Sequence, residues 1–253
     1  ALQVGIALHS LRAVPPEAMR AVLAAEAGTG RPIHIHVAEQ LAEVDECLAL
    51  RGTRPVSWLL DQAAIDARWT LVHATHLSAP EVQAIADAQA TVCLCPTTEA
   101  NLGDGLFPLP EYLAAQGRFS IGSDSHISVS PVEELRWLEY GQRLRACRRN
   151  IAVGPRERSV GRFLFDQALA GGHRSAGARI AANASRITLD VAHPLLAART
   201  DREMLDTWIF SGNMPLVREV RVRGRDVVRD GCHLDEERIA RRYVETVQRL
   251  ARS

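Results

Sequence analysis

Five short runs rich in Val and Ile, at residues 3–8, 32–37, 70–74, 91–94 and 119–121, recur along the first half of the chain, and each is followed by a longer helical pattern. This alternation constrains the fold more than any other feature, because a strand, a crossover helix and the next strand pack as layers around a parallel sheet. The helical patterns carry their own punctuation. Residues 16–27 have Glu17 in the first turn and Gly28 after the last, and residues 79–88 are opened by Ser78 and Pro80. Five βα units cannot close an eight-stranded barrel. The fold class is therefore α/β, either an open doubly wound sheet or the later part of a TIM-type (β/α)8 barrel, strands four to eight, whose first strands are absent. No glycine-rich phosphate loop follows any strand, and the chain opens without methionine on the approach to a strand. Both observations favour the second reading, with the chain as a piece of a longer protein.

The pattern changes after Asp124. A long amphipathic helix is expected at 131–149, and the stretch to about 184 reads as helical, with glycines blurring its boundaries. From Arg186 the segments 187–191, 207–210, 217–222 and 226–228 alternate like antiparallel strands, before a charged helix at 235–252. Two regions are expected: the barrel part at 1–184 and a smaller β element with its terminal helix at 185–253.

Composition narrows the partners. The 253 residues are 47% apolar, enough for a globular core, and 30 basic residues balance 30 acidic ones. A net charge of zero argues against nucleic acid and against anionic membranes. No apolar run approaches a bilayer span and the start has no basic leader, so a cytoplasmic location is expected. The five cysteines, Cys47, Cys93, Cys95, Cys147 and Cys232, are an odd set in a sizeable chain and are expected to be free thiols. Cys93 and Cys95 have the same-face spacing of a strand and read as packing residues. All thirty basic residues are arginine. Without lysine this chain cannot form a Schiff base, build a Walker-type phosphate loop or offer a carboxylated lysine to bridge two metals. A mononuclear metal site stays open.

Three polar clusters sit at the carboxyl ends of the apolar runs: His34-Ile35-His36-Val37-Ala38-Glu39, Leu71-Val72-His73 and Ile121-Gly122-Ser123-Asp124. In parallel α/β folds those ends open onto one face, where catalytic groups collect. His34 and His36 share a strand face, and His36, nearer the end, is the better ligand candidate. A lone histidine there would more often be a hydrogen-bonded core residue. Glu39 can reach the same pocket as a proton carrier with a raised pKa, or simply complement the dipole of the next helix. His73 closes its strand, whereas His76 fits a loop hydrogen bond better. Asp124 suits metal ligation, and equally a helix cap. Histidine, carboxylate and an open water position together make a metal centre that activates water at neutral pH.

These clusters resemble the amidohydrolase superfamily, and within it the deaminase branch, where a His-Val-Ala-Glu motif ends the fifth barrel strand, a His the sixth and a Ser-Asp the eighth. The likeness covers nearly the whole chain. Cys95-Pro96 followed by Asn101-Leu102-Gly103-Asp104-Gly105 is similar to that branch's loop after the seventh strand, and the antiparallel tail, ending in Val222-Arg223-Gly224-Arg225-Asp226-Val227-Val228, resembles its small β-sandwich. Leu8-His9-Ser10-Leu11-Arg12-Ala13-Val14 and the stretch from Ser123-Asp124-Ser125-His126 into the helix at 131–144 narrow the resemblance to members acting on a formimino dicarboxylate. The resemblance implies hydrolysis of the formimino carbon–nitrogen bond of N-formimino-L-glutamate, a step of histidine degradation, with one divalent metal, zinc, activating the attacking water. It implies that His36 and Asp124 hold the metal, that His73 positions the water and stabilises the tetrahedral centre, and that Asp124 accepts the water's proton. Glu39 would protonate the departing nitrogen, and His9 and Arg12, in the loop after the first run, would bind the substrate's carboxylates. A homodimer acting on a small molecule is expected.

The chain departs from the family in two places. The family's first ligand pair, a His-x-His on the first barrel strand, has no counterpart, because His34-x-His36 already serves as the fifth. The chain alone is expected to be inactive. Ala181-Ala182-Asn183-Ala184-Ser185-Arg186 replaces the usual Ala-Asp-Leu pattern before the returning sandwich strand. Two rival readings stay in play: a deaminase of a heterocyclic amine, which would want an aromatic wall in place of Arg12, and a non-catalytic binding protein with this fold, which metal content would distinguish.

Overall fold

The computed structural model describes residues 4–155, 157–177 and 185–252. They form two compact units, 1–179 and 180–253. In the first, the order is β1 (Ile6–Ser10), α1 (Pro16–Ala25), β2 (Ile33–Val37), α2 (Leu41–Arg51), α3 (Pro55–Gln62), β3 (Trp69–His73), α4 (Ala79–Asp87), β4 (Thr91–Leu94), α5 (Pro96–Leu102), α6 (Leu109–Ala114), β5 (Arg118–Ile121), α7 (Pro131–Ala146) and α8 (Val160–Ser175). The strands form one parallel sheet in sequence order, β1-β2-β3-β4-β5.

The sheet's two faces follow from the period-two alternation. Ile33, Ile35, Leu71, Val92, Leu94 and Phe119 are all within 2% of complete burial, and burying each such side chain is worth about 1.5–3 kcal/mol. The opposite face is largely polar, with Val72 and Cys93 among its members: register pairs His34 with Thr70 and Thr70 with Thr91, and it pairs His36 with Val72, Val72 with Cys93 and Cys93 with Ser120. Helix α8 approaches β5 so closely that a Cβ on Gly171 would lie 1.9 Å from the Phe119 carbonyl oxygen. At its end, the Ser175 carbonyl accepts the Nε2–H of His34 at 2.7 Å.

The first strand lies two to three residues further on than its apolar run implies, which places His9 on β1 and not in the loop after it. The long helix stops at Ala146, where Cys147 takes a left-handed C-cap, and residues 150–155 are not helical. The end of the expected helical stretch, most of the Ala181–Arg186 run and the boundary at 184 lie outside the described residues.

The second unit contains β6 (Arg186–Leu189), α9 (Asp201–Phe210), β7 (Val217–Val222), β8 (Arg225–Arg229), β9 (Cys232–His233) and α10 (Glu236–Leu250), with an antiparallel sheet ordered β6-β7-β8-β9. The run 207–210, expected as a strand, is instead the last turn of α9. A capping box decides the matter: the Thr200 hydroxyl and backbone N–H both donate to Glu203, which starts a helix at Asp201, well before the apolar run. Helix α10 leaves the apolar stripe Ile239, Tyr243, Val247 and Leu250 exposed. No helix among the described residues is long and apolar enough to cross a membrane.

Candidate metal centre

Parallel strands leave the sheet at one end, and here they leave through left-handed residues: Ala38 (φ 52°) after β2, His73 (65°) and Ala74 (48°) at the end of β3, and Asp124 (40°) beyond β5. Each such non-glycine conformation costs on the order of 1–2 kcal/mol, so surrounding bonds must over-determine it. The Ala74 N–H donates to the Val37 carbonyl and the His76 N–H to the Ala38 carbonyl, both at 3.1 Å. Buried Glu43, in the first turn of α2, receives the Ala38 and Glu39 N–H groups at 3.0 and 2.9 Å. Glu43, and not Glu39, therefore complements that helix start, which leaves the Glu39 side chain to the pocket.

One ligand atom each from His36, His73 and Asp124 come within 4.8 Å of one another. Two imidazole nitrogens and a carboxylate oxygen are the donor set that a zinc-type ion takes. The tautomer of His36 is fixed by chemistry, since its Nδ1 lies 2.8 Å from the His9 carbonyl, which can only accept. Nε2 is left with its lone pair toward the cluster. His73 is buried at the floor with Nδ1 3.2 Å from Glu99 and Nε2 3.7 Å from Glu39, while Asp124 is exposed at the rim. Asp124 is not a helix cap, because α7 starts at Pro131 behind Ser130, whose hydroxyl accepts from the Glu133 N–H.

Burial raises the pKa of Glu39, helped by Asp104, Asp124 and Glu43 and opposed by His73. For His73, burial works against the imidazolium, yet the Glu99 hydrogen bond and the carboxylates of Glu39, Glu99 and Asp124 outweigh it and raise the pKa.

Of the residues singled out from the sequence, His36, Glu39, His73 and Asp124 come together, and the His9 ring stands 5.5 Å from that of His36. Arg12 is exposed in the turn after β1 and makes no hydrogen bond or ion pair among the described residues. His34 and His76 serve the scaffold, each held at Nε2 by a backbone carbonyl. All five cysteines are free, and the sulfurs of Cys93 and Cys95 flank Gly122, each 3.3 Å from where a Cβ would stand.

Sequence reasoning missed Thr97, Thr98 and Glu99 on α5. The Thr97 hydroxyl donates to Glu134 of α7 at 2.6 Å, the Thr98 hydroxyl meets that of Ser125 at 2.9 Å, and Glu99 meets His73. The signal was a Pro-Thr-Thr-Glu run directly after a strand end, where polar residues this dense have a reason to be buried.

A profile of the amidohydrolase family matches residues 1–154, which carry His36, Glu39, His73, Glu99 and Asp124. The chain belongs to the amidohydrolase family. This amidohydrolase is 49% identical over 252 residues to a formimidoylglutamate deiminase of Pseudomonas aeruginosa, covering 98% of the chain and 55% of the relative. It is 33% identical over 147 residues to an 8-oxoguanine deaminase of the same species, covering 57% of the chain and 33% of that relative. A crystal structure of an amidohydrolase from Brucella melitensis superposes with a TM-score of 0.91 at 43% identity, covering 98% of this chain and 55% of that one. A zinc-bound adenosine deaminase from Xanthomonas campestris, at 19% identity and a TM-score of 0.82 over 96% of this chain and 57% of that one, shares the fold. The five parallel strands are part of a TIM-type barrel, and the chain spans about half the length of its nearer relatives.

Proposed function

We propose that the protein hydrolyses the formimino carbon–nitrogen bond of N-formimino-L-glutamate, giving N-formyl-L-glutamate and ammonia, as a step of histidine degradation. The observation that carries this reading is the convergence of His36, His73 and Asp124, with Glu39 beside them, in a chain 49% identical along nearly its whole length to a formimidoylglutamate deiminase. The metal is a single divalent ion, zinc, held by His36 and Asp124, and such an ion lowers the pKa of water into the neutral range. His73 orients the attacking water and Asp124 takes its proton. Glu39 delivers a proton to the departing nitrogen, a role supported by the burial that raises its pKa. Arg12 and His9 receive the dicarboxylate, Arg12 being exposed in the turn three residues beyond His9. Residues 1–184 form the C-terminal part of the barrel, residues 185–253 a β-sandwich segment with its helix, and the protein works as a cytoplasmic homodimer.

The deciding assay is ammonia release from N-formimino-L-glutamate by the full-length zinc-loaded protein, run beside guanine and 8-oxoguanine. Release from the formimino compound alone is expected. Release from a purine alone would overturn the substrate, and a zinc-loaded protein releasing nothing would favour a binding role.

A further inference from the structure

Glu99 does more than start a helix. Its Oε1 accepts the Cys95 N–H at 2.9 Å, an ordinary bond at the head of α5, and the same oxygen lies 3.2 Å from His73 Nδ1. Both side chains are within 6% of complete burial, so water does not compete for the imidazole. Helix α5 is itself pinned on both sides of this contact: Thr97 is held by Glu134 through its N–H and its hydroxyl, and Thr98 receives the Ser125 N–H at 3.3 Å. A carboxylate can only accept, so this contact requires the proton on Nδ1 and turns Nε2 toward Glu39 and His36.

We infer that Glu99 is a positioning residue, which holds His73 in the Nδ1–H tautomer and at the ring angle that presents Nε2 to the reacting centre. It acts through His73 and touches no substrate. The link to catalysis rests on the function proposed above, whereas the tautomer does not. Carboxylates that orient a metal-ligating histidine typically contribute about 10–100-fold in metal affinity or activity, and the same scale is expected for one that orients the histidine beside the metal. The contact also accounts for a buried acid on a seven-residue helix, whose carboxylate meets the Cys95 N–H and the His73 ring.

Two variants of the full-length protein test it. Glu99→Gln keeps an oxygen for both donors, and Glu99→Leu keeps neither. With the zinc-loaded enzyme, Glu99→Leu is expected to lower kcat about 10–100-fold with KM nearly unchanged, and Glu99→Gln is expected to restore most of it. Nitrogen-15 histidine spectra of the metal-free protein supply a reading independent of turnover. His73 is expected to carry its proton on Nδ1 in the wild type and in Glu99→Gln, and to lose that preference in Glu99→Leu. If Glu99→Leu does not fold, the spectra of the other two proteins decide. A wild-type His73 protonated on Nε2 alone would overturn the inference, as would an unchanged kcat in folded Glu99→Leu. Absence of ammonia release by the wild type would instead overturn the proposed function and leave the tautomer to the spectra.

Discussion

Asp124 and His73 hold the two extremes of exposure within one cluster, the first at the solvent rim and the second at the floor. Asp124 also supplies the cluster's carboxylate, and as the proposed metal ligand its loss of charge should cost more than the loss of one contact. Asp124→Asn is expected to weaken zinc binding and to lower turnover roughly a thousandfold, measured by metal content after dialysis and by ammonia release. Full metal retention with normal turnover would remove Asp124 from the site. The strand-end positions of His36, His73 and Asp124 were legible in the sequence because a ligand at the carboxyl end of a parallel strand needs only the strand to be recognised. Glu99 was not, since its role depends on α5 swinging one carboxylate across to a neighbouring strand's histidine, a distance in space that no local spacing encodes. Arg12 was singled out by resemblance alone, and among the described residues no hydrogen bond or ion pair fixes its direction.

Elements here are joined by buried carboxylates and by close backbone approach. Glu81 of α4, 2% exposed, accepts from Arg54, from the Ser57 N–H and hydroxyl, and from the Ser78 N–H and hydroxyl, tying α4 to α3. Burial alone would raise its pKa, but the bonds from Ser78, Arg54 and Ser57 prevail and lower it. Its contribution is therefore fully present above the unfolded carboxyl value and is lost as the pH falls through the lower folded one. Glu81→Gln is expected to cost about 3 kcal/mol at neutral pH and to flatten the acid limb of the stability curve, read by urea unfolding from pH 7 to pH 3. An acid limb unchanged from wild type would show that Glu81 is not the acid-sensitive group. Gly171→Ala should also destabilise. A helical Gly-to-Ala change normally gains about 1 kcal/mol, but a methyl 1.9 Å from the Phe119 carbonyl oxygen must push α8 off β5, at about 1–3 kcal/mol. Higher stability in thermal unfolding would mean the helix shifts freely. At this scale the parallel order was readable from the alternating pattern. The misreading of 207–210 came from four residues judged without the Thr200–Glu203 box, since so short an apolar run fits strand and helix alike.

Across the whole molecule the two sheets differ in how far apart in sequence their partners lie. Ile6 pairs with Ile33 and Ile33 with Trp69, each across a helical crossover, whereas Val222 pairs with Arg225 across the left-handed pair Arg223 and Gly224. That difference is a clock. Hairpins close in about 1–10 μs, while parallel pairings must first bring distant segments together and typically take milliseconds or longer. In pulse-labelled hydrogen exchange during refolding, the amides of Val217–Arg229 are expected to gain protection before those of Ile33–Val37 and Trp69–His73. Simultaneous protection would mean that one cooperative event forms both sheets. The strands bearing His36 and His73 would then be among the last to settle, so the two histidines meet only when the slow sheet closes, although they are translated well before the hairpin that outruns them.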